Sequence, residues 1–227
     1  MPYLNRPTPD PEPIDCKILT GALSLFVEHG YHNVSIHEIQ KVSDVSIGSI
    51  YKYFDGKEGV ATSLYKHILG EIEELVDTVV KQHTRPHDQC EALITALFEH
   101  TETHPDIIAY AFHAKHSEFL SELPVICNAM PFRKMREIVQ RGMDQGDFIN
   151  TDIWVATTTL FGSITRLIQL RLDGILEKPL PEYTQQVFAV VWGGLSPPAE
   201  TTVNQIVTTN ELNTADDNHP ILNSSIA

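Results

Sequence analysis

The 227-residue chain has few cysteines and no long apolar run. Its three cysteines, Cys16, Cys90 and Cys127, share no close spacing, which argues against a disulfide framework and fits a reducing cytoplasm. Because no run of about 18 apolar residues occurs, we expect no membrane span. The Pro-rich N-terminus also lacks the apolar region of a secretory signal. These absences predict a cytoplasmic protein.

Motifs of enzyme active sites are missing as well. The sequence contains no nucleophile motif, no Gly-rich phosphate loop and no metal-protease spacing. An enzyme that uses the His-rich region together with Glu99 or Asp106 is therefore the weaker interpretation. We expect neither catalytic residues nor a cofactor.

Basic residues are a minority, with 16 Lys and Arg against 30 Asp and Glu, and the net charge is −14. Such a chain repels DNA and acidic membranes at long range. The charge is uneven, because residues 35–57 hold three basic and three acidic side chains, whereas 58–195 hold 11 against 19. The large acidic remainder disfavours an architectural DNA-binding protein without an effector, since bulk acidity weakens nonspecific binding.

Apolar residues recur at helical spacing along most of the chain, and no strand-like alternation competes with them. We therefore predict an all-α fold with about nine helices. Proline, glycine and composition divide the chain into a flexible arm at 1–12, a small helical domain at 13–59, a larger one at 60–195 and a disordered tail at 196–227.

Start and stop signals of short helices surround the stretch VSDVSIGSIYKYFDGKEGV at 42–60. Ser35 with Glu38 three residues later has the pattern of a capping box. Ser46 is the N-cap candidate of the next helix, and Asp44 tolerates a left-handed turn between the two. A helix, a turn and a short helix, followed by a long helix, is the layout of a helix-turn-helix DNA reader.

The short helix that follows Ser46 has the composition of a recognition helix. Ile50 and Phe54, four residues apart, can anchor it to the core, and we expect Val42 of the preceding helix to face inward too. Gly48 lets the backbone approach a phosphate or a base edge. The residues that we expect to contact DNA are Ser35, Ser46, Ile47, Gly48, Ser49, Tyr51, Lys52, Tyr53 and Lys57.

This spacing resembles the TetR family of bacterial transcriptional repressors. The family signature has a Gly that ends the first helix, a Ser or Thr that opens the second, and then V-S-x-G-x-x-Y-x-Y/H-F-x-x-K-E. Within residues 30–60 the matching positions are Gly30, Ser35, Ile39, Val45, Ser46, Gly48, Tyr51, Tyr53, Phe54, Lys57 and Glu58. The chain departs from the family at Gln40 and at Ser43-Asp44, where Ala and Ala-Gly are usual.

The resemblance implies an N-terminal three-helix DNA-binding domain and a C-terminal helical domain for ligand binding and dimerisation. One short recognition helix touches few base pairs, so two copies in a homodimer would read a palindromic double-stranded operator at a spacing of about 34 Å. We expect the dimer interface on the last two helices, although the same residues could be monomer core. The candidates are Trp154, Thr158, Phe161, Thr165, Ile168, Leu172, Tyr183, Val187, Val190 and Val191.

The middle helices would enclose the pocket for a small-molecule effector that releases a repressor from its operator, and an apolar or aromatic effector is favoured. We expect the pocket to be lined by Leu97, Phe98, His100, Phe112, His116, Phe161 and Arg166, with Arg171 as a second candidate partner for an anion. The alternative is a regulator that responds to a metal or haem through the His-rich segment 83–116. Its candidate ligands are His100, His104, His113 and His116, to which Cys90 and Cys127 could add thiolates.

Overall fold

A computed structural model describes residues 3–4, 6–114, 116 and 128–198. The regular elements in these ranges are all helical. When the uninterrupted run at 153–172 is counted as one helix, the described ranges contain nine α-helices. The all-α prediction is confirmed.

The first four helices follow one another with short connections. They are α1 (Ile14–His29), α2 (Ile36–Ser43), α3 (Ile47–Phe54) and α4 (Lys57–Gln82). Gly30 ends α1 with a φ of 77° and donates its N–H to the carbonyl of Phe26. A short 3₁₀ turn, Tyr31–Asn33, connects α1 to α2.

Most of the later helices have a proline in the first turn or a capping carboxylate. They are α5 (Pro86–Thr103), α6 (Pro105–His113), α7 (Met130–Asp144), α8 (Ile153–Thr157), a π-helical turn (Thr158–Gly162), α9 (Ser163–Leu172) and α10 (Thr184–Leu195), which a 3₁₀ turn (Leu180–Tyr183) precedes. Proline in the first turn suits α5, α6 and α7, because its missing N–H would have no partner there. Asp152 caps α8 by accepting the N–H groups of Trp154 and Val155 at 2.8 and 3.2 Å.

The 26-residue helix α4 contributes to both hydrophobic clusters of the core. Its first half, including Leu64 and Ile68, packs with α1, α3 and α6. Its second half, including Val76 and Val79, packs with α5 and α7. The two predicted domains therefore share this helix, and the boundary at 59/60 stays a prediction.

The N-terminal arm packs against α4, which differs from the free arm expected at 1–12. Leu4 is buried in the N-terminal core, and its N–H donates to Glu71 Oε2 at 2.9 Å. Arg6 Nη2 donates to Glu71 Oε1 at 3.2 Å. The ring of Tyr3 stands edge-on to His67 at a centroid distance of 5.5 Å. The arm is held in place because the buried Glu71 carboxylate accepts hydrogen bonds from Leu4 and Arg6.

None of the described helices combines the length and the apolar character that a membrane crossing requires.

Candidate DNA-binding surface and effector cavity

One face of α3 is fixed to the core and the other faces solvent. Ser46 caps its first turn, with the Ser49 N–H donating to Ser46 Oγ at 3.0 Å. Ile50 is completely buried. Tyr51 and Tyr53 are 54% and 46% exposed, which is uncommon for aromatic side chains on a helix with an apolar core beside it. The helix therefore presents a fixed polar and aromatic surface.

The first turn of α2 forms the predicted capping box. The Glu38 N–H donates to Ser35 Oγ at 3.2 Å, and the Ser35 N–H donates to Glu38 Oε2 at 2.7 Å. These hydrogen bonds from Ser35 lower the pKa of the Glu38 carboxyl. The Ser35 hydroxyl also donates to Glu38 Oε2 at 2.7 Å, so its proton is already used in a hydrogen bond within the chain.

The turn between α2 and α3 has the predicted left-handed residue, with Asp44 at a φ of 51°. The inward orientation expected of Val42 is wrong, because this side chain is 54% exposed while Ser43 is buried. The reason is a close approach to α1, where a Cβ on Gly21 would lie 2.5 Å from Ser43 Oγ. A glycine 22 residues upstream thus decides which face of α2 is buried.

Gly48 is exposed on α3, and the fold itself does not require a glycine there. A Cβ at this position would meet no described atom closer than Ser46 Oγ at 3.7 Å, an ordinary contact. The backbone of Gly48 does not have a positive φ. Lys52, on the same helix, is exposed, and its Nζ lies 5.6 Å from the ring centroid of Tyr53. The surface around Gly48 is therefore open to another molecule.

Lys57 begins α4 and is partly buried, as are Ile47 and Ser49 among the other predicted DNA contacts. Its Nζ lies 4.2 Å from the ring centroid of Tyr31, a cation–π contact with the 3₁₀ turn. Burial lowers the pKa of Lys57, and the Glu38 carboxylate opposes that effect. The contact holds the cation at the start of α4, beside α2 and α3.

A cavity of about 330 Å³ lies among α5, α6, α7 and the helix at 153–172. Arg136 is the charged residue among its described lining residues, and the guanidinium carbon lies 4.4 Å from the ring centroid of Trp154. The described lining is otherwise apolar, aromatic or threonine, and consists of Leu97, Ala111, Phe112, Ala114, Phe132, Met135, Arg136, Trp154, Thr157, Thr158, Phe161, Gly162, Ile164 and Thr165. We refer to it as the α7 cavity.

Three of the seven residues predicted to line a pocket, Leu97, Phe112 and Phe161, do line the α7 cavity. Phe98 is completely buried in the core. His100 lines a separate open groove between α4 and α5. Phe98 and His100 lie on α5 together with Leu97. Helical spacing alone did not show that the three side chains face the core, an open groove and the cavity, respectively.

His116 and the two candidate arginines lie away from the α7 cavity. His116 is buried between the rings of Tyr65 and Tyr110, at centroid distances of 4.6 and 4.9 Å. Arg166 is exposed and donates to Gln169 at 3.3 Å. Arg171 is bound to Glu102 through two hydrogen bonds of 2.9 and 2.8 Å, which explains why it does not serve the cavity.

The residues predicted for the dimer interface divide into three groups. Trp154, Thr158, Phe161 and Thr165 line the α7 cavity. Ile168 and Val191 are buried in the core, whereas Leu172, Tyr183 and Val187 pack partly buried against it. Val190 is 71% exposed. Periodicity located the apolar faces correctly, but it did not indicate whether core, cavity or solvent covers them.

The four histidines of the proposed metal site are not brought together where the structure describes them. The rings of His100 and His104 are 5.7 Å apart, and burial, followed by the nearby His104, lowers the pKa of His100. His116 sits in the aromatic contact described above. The His113 side chain and Cys127 lie outside the described residues. No group of three or more metal-ligating side chains occurs within the described part of the chain.

Arg136 and Phe132 are cavity residues that the sequence interpretation missed. A usable signal was present, because α7 has an amphipathic pattern with four basic residues in a chain that is acidic elsewhere.

Known proteins match both the sequence and the fold. The family profile described as bacterial regulatory proteins, tetR family, matches residues 18–64. The fatty acid metabolism regulator protein of Bacillus subtilis is 29% identical over 82 residues, which is 36% of this chain and 42% of that relative. The chain thus spans less than half the length of this curated relative. The transcriptional repressor KstR2 of Mycolicibacterium smegmatis is 27% identical over 193 residues, or 79% of this chain and 89% of that protein.

Solved structures share the fold over most of the chain. The fatty acid degradation regulator FadR from Bacillus halodurans superimposes with a TM-score of 0.68 at 20% identity, covering 79% of this chain and 98% of that one. FadR from Bacillus subtilis in complex with stearoyl-CoA gives a TM-score of 0.69 at 20% identity, with the same coverage. At this identity the superpositions establish the fold, and the matched segment contains the capped helices α2 and α3. Residues 18–64, which include α2 and α3, thus match the bacterial regulatory proteins of the tetR family.

Proposed function

We propose that the chain is a ligand-responsive repressor that binds a palindromic operator as a homodimer and leaves it when a small organic effector occupies the α7 cavity. The observation that carries the DNA-binding part is Gly48. Nothing in the described fold requires a glycine at this exposed helical position, although glycine weakens a helix relative to alanine. A glycine there is useful where a nucleic-acid backbone or base edge has to approach α3 closely.

Side chains around Gly48 have the chemistry for DNA. Tyrosine hydroxyls and the N–H groups of a first helical turn donate to phosphate oxygens, and Ser49 and Lys52 can reach base edges. The neutral segment 35–57 offers only three basic side chains in a chain with a net charge of −14. Affinity would therefore depend on a few placed contacts and on the spacing of two recognition helices, with little help from a broad basic field.

The exposed face of the last two helices supports the homodimer. Val155 and Val190 are 55% and 71% exposed, and the helices that carry them pack against each other. Gly193 and Gly194 are exposed beside Val190 and would let a second helix approach closely. We expect Val190→Asp to convert dimers into monomers in sedimentation velocity, whereas the same change at exposed Val80 of α4 should leave the dimer intact.

Helix α6 provides a route from the cavity to the DNA-binding helices. Ala111 and Phe112 line the α7 cavity, while Ile107 and Tyr110 belong to the N-terminal core cluster with α1 and α4. The Tyr110 hydroxyl donates to the carbonyl of Ala61 in α4 at 3.4 Å. A ligand that displaces α6 would thus move α1 and α4, the helices against which α3 packs. Release requires the ligand to prefer one arrangement by a few kcal/mol.

The cavity's aromatic lining favours an apolar or aromatic effector, and the names of the relatives agree with lipid-like ligands. They refer to fatty acid metabolism and degradation, a ketosteroid regulator and a complex with stearoyl-CoA. Those ligands belong to those proteins, and for this chain the effector class is part of the proposal.

Selection from a randomised DNA pool followed by fluorescence anisotropy tests the proposal. We expect an enriched palindrome, bound more weakly by Lys52→Ala by about tenfold. Lys66→Ala, at an exposed position of α4, is the control and should bind like the unmodified protein. A pool without an enriched palindrome, or equal affinity of the Lys52 and Lys66 variants, contradicts the proposed DNA surface.

A further inference from the structure

We infer that Thr157 determines the specificity of the α7 cavity, and that the effector is a neutral molecule with a ring system and a hydroxyl group that pairs with Thr157. The inference rests on the proposed function for its regulatory meaning, because an effector in the cavity is what would release the operator. The pairing itself is supported by the hydrogen bonds of the threonines and by the lining of the cavity.

The hydroxyl of Thr157 is buried beside the α7 cavity. Thr157 belongs to the cavity lining, and its Oγ1 is shielded from solvent and has no hydrogen-bond partner in the described part of the chain. Buried polar groups without a partner are rare in native proteins, because their lost hydrogen bonds to water are not replaced. A ligand that enters the adjoining cavity would supply the missing partner.

Other threonines of this fold satisfy their hydroxyls locally. In a helix the threonine hydroxyl can donate to the carbonyl four positions earlier. Five described threonines do so at distances from 2.7 to 3.0 Å, namely Thr78, Thr95, Thr101, Thr103 and Thr165. For Thr157 that carbonyl belongs to Ile153, the first residue of α8, and it does not receive the hydroxyl. Thr157 therefore leaves unused a hydrogen bond that these threonines make.

Thr157 also lies where the helix at 153–172 changes its geometry. It is the last residue of α8, and the π-helical turn Thr158–Gly162 follows it directly. Single π turns inside helices occur frequently at functional sites. This turn is part of the cavity wall, because Thr158, Phe161 and Gly162 line the cavity too. The irregular backbone and the buried hydroxyl are thus adjacent in one wall.

The other polar side chains of the described lining are in different surroundings. Thr165 already donates to a backbone carbonyl at 2.9 Å. Thr158 is exposed, so water can satisfy its hydroxyl. The guanidinium of Arg136 contacts the indole ring of Trp154. A ligand can therefore pair with the Thr157 hydroxyl without breaking a hydrogen bond of the described fold.

The remaining lining indicates the rest of the ligand. Four aromatic side chains surround the cavity and suit a ring system, namely Phe112, Phe132, Trp154 and Phe161. A hydroxyl group can donate a hydrogen bond or accept one, so a ligand hydroxyl can pair with Thr157 in either direction. The expected effector thus differs from a pure hydrocarbon by one placed hydrogen bond.

Isothermal titration calorimetry of the full chain with 2-naphthol and 2-methylnaphthalene tests the inference, because the second compound has a methyl group in place of the hydroxyl. The protein is placed in the syringe, since the hydrocarbon is sparingly soluble. A cavity that offers no hydrogen bond would bind the more hydrophobic 2-methylnaphthalene more tightly. We expect 2-naphthol to bind about fivefold more tightly instead.

Three variants locate the hydrogen bond. Thr157→Val replaces the hydroxyl by a methyl group of similar size and should abolish the preference for 2-naphthol, whereas Thr157→Ser should retain part of it. Thr165→Val is the matched control, because it removes from the same lining a hydroxyl that is already bonded. It should leave the ratio of the two affinities close to that of the unmodified chain.

Thermal melting of the ligand-free protein adds a second measurement. Thr157→Val should raise the melting temperature, because it removes a buried hydroxyl that has no partner in the described fold. Thr165→Val should lower it, because the Phe161 carbonyl loses a donor. A lower melting temperature of Thr157→Val would show that the fold itself satisfies this hydroxyl, and it would overturn the inference.

The binding outcomes separate the inference from the proposed function. Equal binding of the two probes, tighter binding of 2-methylnaphthalene, absence of binding by both, or a preference for 2-naphthol that survives in Thr157→Val overturns the pairing. If the chain selects a palindromic operator under any of these outcomes, the repressor function stands without it. A preference that depends on Thr157, in a chain that selects no operator from a DNA pool, supports the pairing and overturns the proposed repressor function.

Discussion

The carboxylate of Glu71 accepts a hydrogen bond from the backbone N–H of Leu4, a residue 67 positions earlier in the chain. Both residues are buried, and the second carboxylate oxygen accepts from Arg6. His67, one turn earlier on α4, has its Nε2 3.9 Å from the same carboxylate. The N-terminal arm is thereby attached to the middle of α4, between the helices that carry the DNA surface and those that enclose the cavity.

We expect Glu71→Ala to destabilise the protein by about 1–3 kcal/mol, because the buried N–H of Leu4 would lose its acceptor. Glu74→Ala, at an exposed position one turn further along α4, is the matched control and should change stability by less than about 0.5 kcal/mol. Urea denaturation gives both free energies of unfolding. Equal stability of the two variants would show that the arm contributes nothing through Glu71.

Two glycines in the DNA-binding region should respond oppositely to the same substitution. A Cβ on Gly59 would overlap the backbone carbonyl of Phe54, which cannot move without shifting the end of α3, whereas a Cβ on Gly48 meets only ordinary contact. We expect Gly59→Ala to destabilise the protein by about 3 kcal/mol or more. Gly48→Ala should leave stability unchanged or raise it by about 0.5–1 kcal/mol.

The Gly48→Ala variant should also differ from the unmodified protein in its DNA affinity. Its added methyl group would stand between α3 and the nucleic acid, so we expect weaker binding to the selected operator despite a stable fold. Thermal melting and fluorescence anisotropy on one preparation measure both properties. Full DNA affinity in Gly48→Ala would remove the main support for close approach at this position.

Local signals made the DNA-binding region predictable from the sequence. The capping box of Ser35 and Glu38, the cap at Ser46 and the left-handed Asp44 each depend on residues within about one helical turn. The burial of Ser43 in place of Val42 was not predictable in this way, because it depends on Gly21 of another helix. The contact of Glu71 with Leu4 is likewise a long-range pairing that no local pattern specifies.

The cavity was predictable only in part, for a different reason. Residues 154, 158, 161 and 165 form a regular stripe of aromatic and threonine side chains expected of a packed helix, and in the structure that stripe lines a cavity. A helix that faces a cavity and one that faces a second subunit need the same periodicity. The charged residue of the lining, Arg136, comes from α7, and its proximity to Trp154 follows from tertiary packing alone.

His116 should make the stability of the protein depend on pH. Burial lowers the pKa of this imidazole to about 4, with a hydrogen bond from the imidazole to the backbone carbonyl of Tyr110 acting in the opposite direction. An unfolded histidine has a pKa of about 6.5, so the unfolded chain binds a proton first as the pH falls. This contribution to stability is fully present above pH 6.5 or so and is lost toward pH 4 or so. Between pH 7 and 5 the loss amounts to about 2 kcal/mol.

The variant His116→Phe tests this dependence, because phenylalanine keeps an aromatic ring between Tyr65 and Tyr110 and does not titrate. Its free energy of unfolding in urea should fall less steeply than that of the unmodified protein between pH 7 and 5. His37→Phe, at an exposed position of α2, is the control and should keep the original slope. Parallel slopes for all three proteins would contradict a neutral, buried His116.

The clamp formed by Glu102 and Arg171 joins α5 to the end of α9 and to the start of the 3₁₀ turn before α10. Arg171 donates to both oxygens of Glu102 at 2.9 and 2.8 Å, and Glu102 Oε1 also accepts the N–H of Leu180 at 3.0 Å. The hydrogen bonds from Arg171 lower the pKa of Glu102. Two parallel hydrogen bonds require the planar fork of arginine, which lysine does not have.

We therefore expect Arg171→Lys to reduce the free energy of unfolding by about 1 kcal/mol, although the charge is retained. Arg166→Lys, at an exposed position of α9, should leave it unchanged. Urea denaturation of both variants and of the unmodified protein measures these free energies of unfolding. An equal free energy of unfolding in the Arg171→Lys and Arg166→Lys variants would show that the two parallel hydrogen bonds to Glu102 contribute nothing beyond the charge.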